Sequence, residues 1–126
     1  MARAVLIVDD EQHIRLLIEQ TLEELLDEDV ELYTAADGDE AIAAIAAQHP
    51  DLVFLDVMMP GRSGLDVCRA VRADPDLAGA HIVLLTAKGQ AQDRDEGLAA
   101  GADEFLTKPF DPDALLALAR GVLGLP

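Results

Sequence analysis

Polar side chains suited to chemistry stand at the points where short, strand-like runs of this 126-residue chain end. Residues 52–55 form a continuous apolar run, typical of a strand buried on both faces, and Asp56 follows it directly. Residues 4–8 form a second apolar run, which is followed by Asp9 and Asp10. The complete set of such residues is Asp9, Asp10, Asp56, Thr86 and Lys108.

Three carboxylates that share one crevice repel one another, so each raises the pKa of its neighbours. A hard divalent cation relieves this repulsion, and Mg²⁺ typically binds one or two carboxylates, a carbonyl oxygen and waters. Together with Lys108 and the Thr86 hydroxyl, such a cation would accommodate the oxygens of a transferring phosphoryl group. Asp56 is then the candidate nucleophile, and the product is an aspartyl-phosphate. Taken alone, its own stretch fits equally well an Asp56 that only caps the following Pro60-Gly61 turn.

These residues can meet only if the strands are parallel and end at one edge of a sheet. The predicted strands cover residues 4–8, 30–34, 52–55, 81–85 and 104–107, and the predicted helices cover residues 11–26, 37–48, 63–74, 91–100 and 111–122. This alternation predicts an α/β fold with a parallel sheet and right-handed crossovers. Ligands of such open sheets bind at the carboxyl ends of the strands, which is where the polar residues stand.

Local capping patterns predict where several of the helices begin. Asp37 has Glu40 three residues further on, close to a capping box, and Ser63 has Asp66 at the same spacing. Asp111 precedes a proline, which is favoured at the first helical position.

The composition indicates an acidic protein with an aliphatic core. Acidic residues outnumber basic ones 25 to 9, for a net charge of −16, and only 3% of the residues are aromatic. Such a surface repels phosphate backbones and anionic membranes, so direct binding to nucleic acid or to a membrane is not expected. The single cysteine, Cys68, fits a reducing cytosol and a buried, inert thiol, so we expect a cytoplasmic protein. Arg62 and Arg94 are expected to be solvated.

Five motifs, taken in their order along the chain, resemble the receiver domain of bacterial two-component response regulators over essentially the whole chain. The motifs are Val8-Asp9-Asp10-Glu11, Leu55-Asp56-Val57-Met58-Met59-Pro60-Gly61, Leu85-Thr86-Ala87, Gly101-Ala102-Asp103 and Lys108-Pro109-Phe110. Each motif is weak alone, but all five in this order are highly specific. The resemblance implies a flavodoxin-like, doubly wound (βα)5 fold with strand order 2-1-3-4-5. We expect one receiver domain over residues 1–126 without an effector domain, either as a stand-alone receiver or as a piece of a longer regulator.

The resemblance also implies a role for each residue of the site. Asp56 would be the phosphoacceptor, Asp10 would bind Mg²⁺ directly, and Asp9 would act largely through water. The backbone carbonyl of Met58 would complete the protein's share of the metal shell. Lys108 falls on the phosphate-binding lysine of the family.

The two switch positions of the family fall on Thr86 and Phe105, and the resemblance implies a cis peptide bond before Pro109. Many members have tyrosine where this chain has Phe105, so no hydroxyl would follow the ring inward. The last helix carries Ala114 and Leu118 where receivers of winged-helix transcription factors usually place charged dimer contacts. We therefore expect the face of the fourth helix, fifth strand and fifth helix to bind a downstream protein or a second receiver through apolar contacts. Alternatively, Leu118 packs inward and this face is inert.

The implied function is that of a signalling phosphoacceptor rather than a turnover enzyme. A sensor histidine kinase or a histidine phosphotransfer protein would donate the phosphoryl group and dock on His13, Leu17 and Gln20 of the first helix. Alternatively, Leu17 only widens the buried stripe of that helix. The positions that flank the path of hydrolytic water in the family are Met58 and Lys88 here. Neither supplies a carboxamide or carboxylate to orient water, so autodephosphorylation is expected to be slow.

Three other classes of protein fit these residues less well. A haloacid-dehalogenase-like phosphatase also uses an aspartate nucleophile after a buried strand, but it needs a second acid where this chain has Met58. A dinucleotide-binding fold needs glycines in its first turn, whereas residues 9–13 are acidic and free of glycine. A degenerate receiver that acts only as a docking module would have lost Asp56, Thr86 or Lys108.

Overall fold

The computed structural model describes residues 3–87 and 91–126, with no side chains described for residues 91–93. In chain order the elements are β1 (Arg3–Val8), α1 (Gln12–Leu22), β2 (Val30–Ala35), α2 (Gly38–Gln48), β3 (Leu52–Asp56), α3 (Gly64–Ala73), β4 (His81–Ala87), α4 (Ala91–Ala100), β5 (Glu104–Lys108) and α5 (Pro112–Leu123). The strands form one parallel sheet in the order β2-β1-β3-β4-β5. The predicted alternation and strand order are confirmed, and the fold is a flavodoxin-like, doubly wound α/β fold.

Helices cover both faces of the sheet, which explains why the central strand β3 is apolar throughout. Leu52 and Phe54 pack on one face, in a core shared with α1 and α5. Val53 and Leu55 pack on the other face, in a core shared with α2, α3 and α4. All four side chains are fully buried. A strand covered on both sides reads as a continuous apolar run, and here that run leads directly to Asp56.

Hydrogen bonds confirm the predicted helix starts. The Asp37 side chain accepts a hydrogen bond from the backbone N–H of Glu40 at 2.8 Å. Ser63 and Asp66 form a complete capping box, and Asp111 caps α5. These contacts satisfy backbone donors that a helix start leaves free, and they fix where each helix leaves the edge of the sheet.

The end of α1 differs from the prediction. The α-helix stops at Leu22, and the chain continues as a 3₁₀ helix over Glu23–Glu28. Arg120 of α5 forms ion pairs with Glu24 at 2.6 Å and with Glu28 at 2.7 Å in this segment. Leu25 remains fully buried, so the apolar stripe continues while the backbone tightens. The spacing of the leucines does not distinguish an α-helix from a 3₁₀ helix, so the sequence did not predict where the α-helix ends.

Two further expectations concern single residues. Cys68 is buried, and burial raises the pKa of its thiol, as expected for an inert cysteine. Lys88 lies outside the residues that the structure describes.

Across the described ranges, every helix is too short or too polar to cross a membrane.

Candidate functional site

The carboxyl ends of β1 and β3 bring three carboxylates together. These neighbouring parallel strands pair Val8 with Leu55, so Asp9 and Asp56, each one residue further on, lie side by side. Asp10 follows at the start of the loop to α1, and one carboxylate oxygen from each aspartate lies within 4.8 Å of the others. Asp9 is 0% exposed and Asp56 is 4% exposed, whereas Asp10 is exposed. The acidic pocket therefore opens to solvent on the side of Asp10.

Lys108, the last residue of β5, places its ammonium group against two of these carboxylates. Its Nζ donates to Oδ2 of Asp9 at 2.7 Å and lies 3.2 Å from Oδ1 of Asp56. Burial alone would lower the pKa of Lys108, but the hydrogen bond to Asp9 and the charge of Asp56 outweigh burial and raise this pKa. The side chain of Lys108 therefore stays protonated and positively charged at neutral pH. The peptide bond that follows it, to Pro109, is cis.

The pKa of Asp56 is strongly altered. Burial and, next, the charge of Asp9 raise the pKa of Asp56 from 3.8 to about 7, although Lys108 opposes the rise. The backbone N–H of Met58 also points at Oδ1 of Asp56, over a long 3.4 Å. Further positive charge in the pocket would favour the ionised carboxylate, which is the form that a nucleophile needs.

Asp9 is held by protein donors on all of its oxygens. Its Oδ1 accepts the backbone N–H of Glu11 at 2.9 Å, and its Oδ2 accepts Lys108. The guanidinium of Arg15, on α1, donates to the backbone carbonyl of Asp9 at 2.7 Å. Sequence reasoning missed Arg15, because its type and position on a helix carry no signal for a contact with the preceding loop.

The loop after β3 is held close to the end of the strand. The N–H of Val57 donates to the carbonyl of Leu85 at 3.2 Å, and the N–H of Gly64 donates to the carbonyl of Val57 at 3.0 Å. A side chain at position 64 would collide with the carbonyl oxygen of Asp56, so glycine is needed for α3 to begin here. Met58, in this loop, is 65% exposed, and its backbone N–H lies 3.4 Å from Oδ1 of Asp56.

Arg62, expected to be simply solvated, has a defined partner. Its Nε donates to Oδ1 of Asp39 at 2.8 Å, which joins the loop after β3 to the first turn of α2. Both side chains remain more than half exposed, so the pair contributes little to stability.

Thr86 and Phe105 lie on the neighbouring strands β4 and β5. Thr86 is buried and lies one residue beyond Leu85, which pairs with Asp56. Phe105 pairs with Leu84 and packs, partly buried, against the core shared with α2, α3 and α4. Thr86 therefore stands at the edge of the sheet that carries the acidic pocket, and Phe105 lies further back along the sheet.

The residues expected to contact partners lie outside the acidic pocket. On α1, Leu17 is 40% exposed, and His13 and Gln20 are exposed, so Leu17 does not simply widen the buried stripe. On α5, Ala114 is exposed but Leu118 is partly buried against the core shared with α1. The apolar face expected around α5 is therefore smaller than predicted, because Leu118 packs inward.

The acidic pocket fits a hard divalent cation. Its ligand atoms are all oxygens, which suits Mg²⁺, and exposed Asp10 gives access from solvent. Burial and, next, the charge of Asp9 raise the pKa of Asp56 although Lys108 opposes the rise, so a cation in the pocket would lower this pKa. Among the side chains that the structure describes, no other group of three His, Cys, Asp or Glu residues is close enough to hold a metal ion.

Comparisons with known proteins agree with this fold and pocket. A family model described as the response regulator receiver domain matches residues 5–120. The crystal structure of a response regulator from Chloroflexus aurantiacus has a TM-score of 0.89 and 33% identity, covering 98% of this chain and 99% of the other. The chemotaxis protein CheY4 of Vibrio cholerae has a TM-score of 0.85 and 36% identity, covering 97% and 99%.

A curated relative from Cyanophora paradoxa, named "Probable transcriptional regulator ycf27", is 43% identical over 121 residues. The match covers 96% of this chain and 48% of the relative, so the chain spans about half of that relative's length. The flavodoxin-like sheet and the acidic pocket at its carboxyl edge agree with the family model. The chain belongs to the response regulator receiver domain family, and thus to two-component signalling.

Proposed function

We propose that this protein is a phosphoacceptor, in which Asp56 takes a phosphoryl group from a phosphohistidine. The donor is a sensor histidine kinase or a histidine phosphotransfer protein. The observation that carries the proposal is the meeting of Asp56, two further carboxylates and the Lys108 ammonium at one edge of the sheet. A chain with this pocket is a signalling component that phosphorylates itself, rather than an enzyme that turns over a substrate.

The transfer forms one bond to phosphorus and breaks one. A carboxylate oxygen of ionised Asp56 attacks phosphorus while the bond from phosphorus to the imidazole nitrogen of the donor breaks. That nitrogen keeps the electron pair, and a donor protonated on its other ring nitrogen leaves as neutral imidazole. Lys108 turns from its carboxylate partners toward a phosphoryl oxygen, and the hydroxyl of Thr86 donates to another.

Mg²⁺ is the proposed cofactor. Asp10, Asp56 and the backbone carbonyl of Met58 would hold it directly, and Asp9, whose oxygens already have protein donors, would act through water. When bound, Mg²⁺ supplies positive charge beside the phosphoryl oxygens and favours ionised Asp56. This charge is what allows an anionic phosphoryl group into a pocket of three carboxylates.

The proposed signal leaves through Thr86 and Phe105. Thr86 shares the edge of the sheet with the pocket, and Phe105 lies beside α4 on the edge strand β5. The output surface is then the face of α4, β5 and α5, which would bind a downstream protein or a second receiver. Slow autodephosphorylation remains part of the proposal, because exposed Met58 offers no group to orient water.

The phosphodonor is proposed to dock on α1. His13, Leu17 and Gln20 are exposed on this helix, which begins next to the acidic pocket. A leucine that is 40% exposed beside polar neighbours is suited to insert into a groove between helices of a donor protein.

The proposed function is tested with acetyl phosphate, a small phosphodonor. Intact-protein mass spectrometry should show one added phosphate in the presence of Mg²⁺ and none in the presence of EDTA. Asp56→Asn, which keeps the shape of the side chain, should remove the label. Equal labelling with EDTA, or undiminished labelling of Asp56→Asn, would overturn the proposal.

A further inference from the structure

The first residue of α2 packs against the loop after β3 too closely to carry a side chain. A Cβ atom added at Gly38 would lie 2.6 Å from Cβ of Arg62 and 2.7 Å from its backbone oxygen. Real Cβ contacts are essentially never this short, and a backbone oxygen cannot rotate away as the end of a side chain can. Gly38 is buried and has no positive φ, so glycine is needed here for the close approach of the two segments and not for its backbone conformation.

The neighbouring side chains join the same two segments. Asp39 accepts a hydrogen bond from Nε of Arg62 at 2.8 Å, and the cap that Asp37 provides fixes the first turn of α2. An exposed ion pair contributes little by itself, but this pair orients a loop that already packs on Gly38. We call the contacts of Gly38 and Asp39 with Arg62 the loop latch.

The loop latch holds the exposed part of a loop whose other parts are fixed by the core. The N–H of Gly64 donates to the carbonyl of Val57 at 3.0 Å, and Met59 is buried in the core shared with α2, α3 and α4. Residues 60–62 are exposed, and Gly61 has a φ of 74°, a conformation that glycine adopts readily. The position of this exposed stretch therefore depends on the loop latch.

The same loop carries Met58, whose backbone carbonyl is a proposed ligand of Mg²⁺. A backbone carbonyl has no rotamers, so the loop alone sets where its oxygen lies. Mg²⁺ demands nearly ideal octahedral geometry with bonds of about 2.0–2.1 Å, whereas Ca²⁺ accepts flexible geometry with bonds of about 2.3–2.6 Å. A carbonyl held in one place therefore favours the smaller and more demanding ion, and a carbonyl that can move loses this preference.

We propose that the loop latch makes the acidic pocket selective for Mg²⁺ over Ca²⁺. The inference rests on the proposed function and adds what determines the choice of metal. Gly38 and Arg62 are then positioning residues, because they act through the loop that carries Met58 and not as ligands. Loosening the latch should weaken the binding of Mg²⁺ more than the binding of Ca²⁺.

Gly38→Ala tests this inference, and Gly121→Ala is its matched control. Neither substitution changes the charge of the protein, and a Cβ atom added at Gly121, in α5, meets nothing within 4 Å. The dissociation constants of both ions are measured by NMR titration of the folded proteins. Gly38→Ala should weaken Mg²⁺ binding about tenfold and Ca²⁺ binding much less. Gly121→Ala should leave both constants unchanged.

The ratio of the two constants separates a positioning role from a structural one. A variant that is merely less stable but still folded binds both ions with an unchanged ratio. In spectra of the metal-free protein, Gly38→Ala should shift the backbone amides of Met58 and of residues 60–62. A wild-type protein that binds Ca²⁺ as tightly as Mg²⁺, or an equal loss of both ions in Gly38→Ala, would overturn the inference.

Arg62→Met keeps the inference testable even if Gly38→Ala fails to fold. It removes the ion pair with Asp39 and also a positive charge, and the lost charge affects two divalent ions alike, so the ratio isolates the latch. The ratio should shift toward Ca²⁺, less than in Gly38→Ala. Arg69→Met, which removes the same charge from an exposed position of α3, is the control and should leave the ratio unchanged.

Failure of this inference can be told apart from failure of the proposed function. Equal ratios in the two arginine variants, in a protein that binds Mg²⁺ and is labelled by acetyl phosphate, would refute the loop latch alone. A wild-type protein that binds no Mg²⁺ would refute the proposed cofactor and, with it, the inference.

Discussion

The charge of Asp56 depends strongly on its surroundings. Its burial and its acidic neighbour raise its pKa from 3.8 to about 7, so folding favours the protonated carboxyl. Ionised Asp56 therefore destabilises the metal-free protein. This cost is absent below the ordinary pKa of 3.8, grows as the pH rises toward 7, and is complete above that value.

Asp56→Asn should remove this cost and stabilise the metal-free protein in a pH-dependent manner. A shift of about three pKa units corresponds to about 4 kcal/mol, and because Lys108 readjusts we expect a gain of about 2–3 kcal/mol at pH 8. At pH 5.5 the gain should be about half as large, because much of the titration lies above that pH. Urea unfolding in EDTA measures both values.

The control for this prediction is the addition of Mg²⁺. Bound cation favours ionised Asp56, so the advantage of Asp56→Asn over the wild-type protein should shrink or reverse with Mg²⁺. A gain in stability that stays constant between the two pH values would contradict the account of Asp56 as a carboxyl with a raised pKa.

At the scale of the elements, Arg72 of α3 joins several segments of the chain through one side chain. Its guanidinium donates to the carbonyls of Gly101, Ala78 and Ala80 at 2.7–2.8 Å and to Oδ2 of Asp103 at 2.7 Å. Ala78 and Ala80 belong to the connection between α3 and β4, and Gly101 and Asp103 belong to the connection between α4 and β5. Arg72 thereby holds the ends of α3 and α4 against the sheet, on the side opposite the acidic pocket.

Arg72→Lys should destabilise the protein by about 2–3 kcal/mol. The planar guanidinium of arginine donates to all of these acceptors at once, whereas the single ammonium group of lysine cannot, so some of the carbonyls would lose their hydrogen-bond donor. Arg69→Lys, one turn earlier on α3, should cost less than about 0.5 kcal/mol, since its pair with Asp66 is exposed and 3.5 Å long. Guanidinium chloride unfolding compares the two variants. Similar losses of unfolding free energy in the two variants would mean that the contacts of Arg72 between elements do not stabilise the protein.

The elements also show what the sequence can predict. The strands and helix starts were predictable because their signals are local: apolar runs such as residues 52–55 and capping pairs such as Ser63 and Asp66. The pocket was predictable because parallel strands end at one edge. The contact of Arg72 with Asp103 spans 31 residues and that of Arg62 with Asp39 spans 23. Such contacts depend on how the elements pack, which no local pattern contains.

At the scale of the whole molecule, the proposed functional regions lie at separate places around one sheet. The acidic pocket is at its carboxyl edge, the proposed donor surface is on α1, and the ring of Phe105 is under α4 beyond β4. A net charge of −16 keeps anionic partners away, so the donor must dock through specific contacts near the pocket.

Leu17→Ala should slow phosphotransfer from the cognate histidine kinase roughly tenfold and leave labelling by acetyl phosphate unchanged, because only the kinase needs a docking surface. Leu26→Ala is the control, since Leu26 is also exposed, at 51%, but lies beyond α1 in the 3₁₀ segment. Rates of transfer measured with radiolabelled kinase give both comparisons. Equal slowing with kinase and acetyl phosphate would indicate a folding defect rather than a docking surface.

The central claim is that Asp56, and not a neighbouring carboxylate, carries the phosphoryl group. Borohydride reduces an aspartyl-phosphate to homoserine, so it marks the modified residue permanently. After labelling with acetyl phosphate and Mg²⁺, peptide mass spectrometry should find homoserine at position 56 alone, with Asp9 and Asp10 intact. Homoserine at position 9 or 10, or none in a protein that carries the label, would contradict the assignment of Asp56 as the phosphoacceptor.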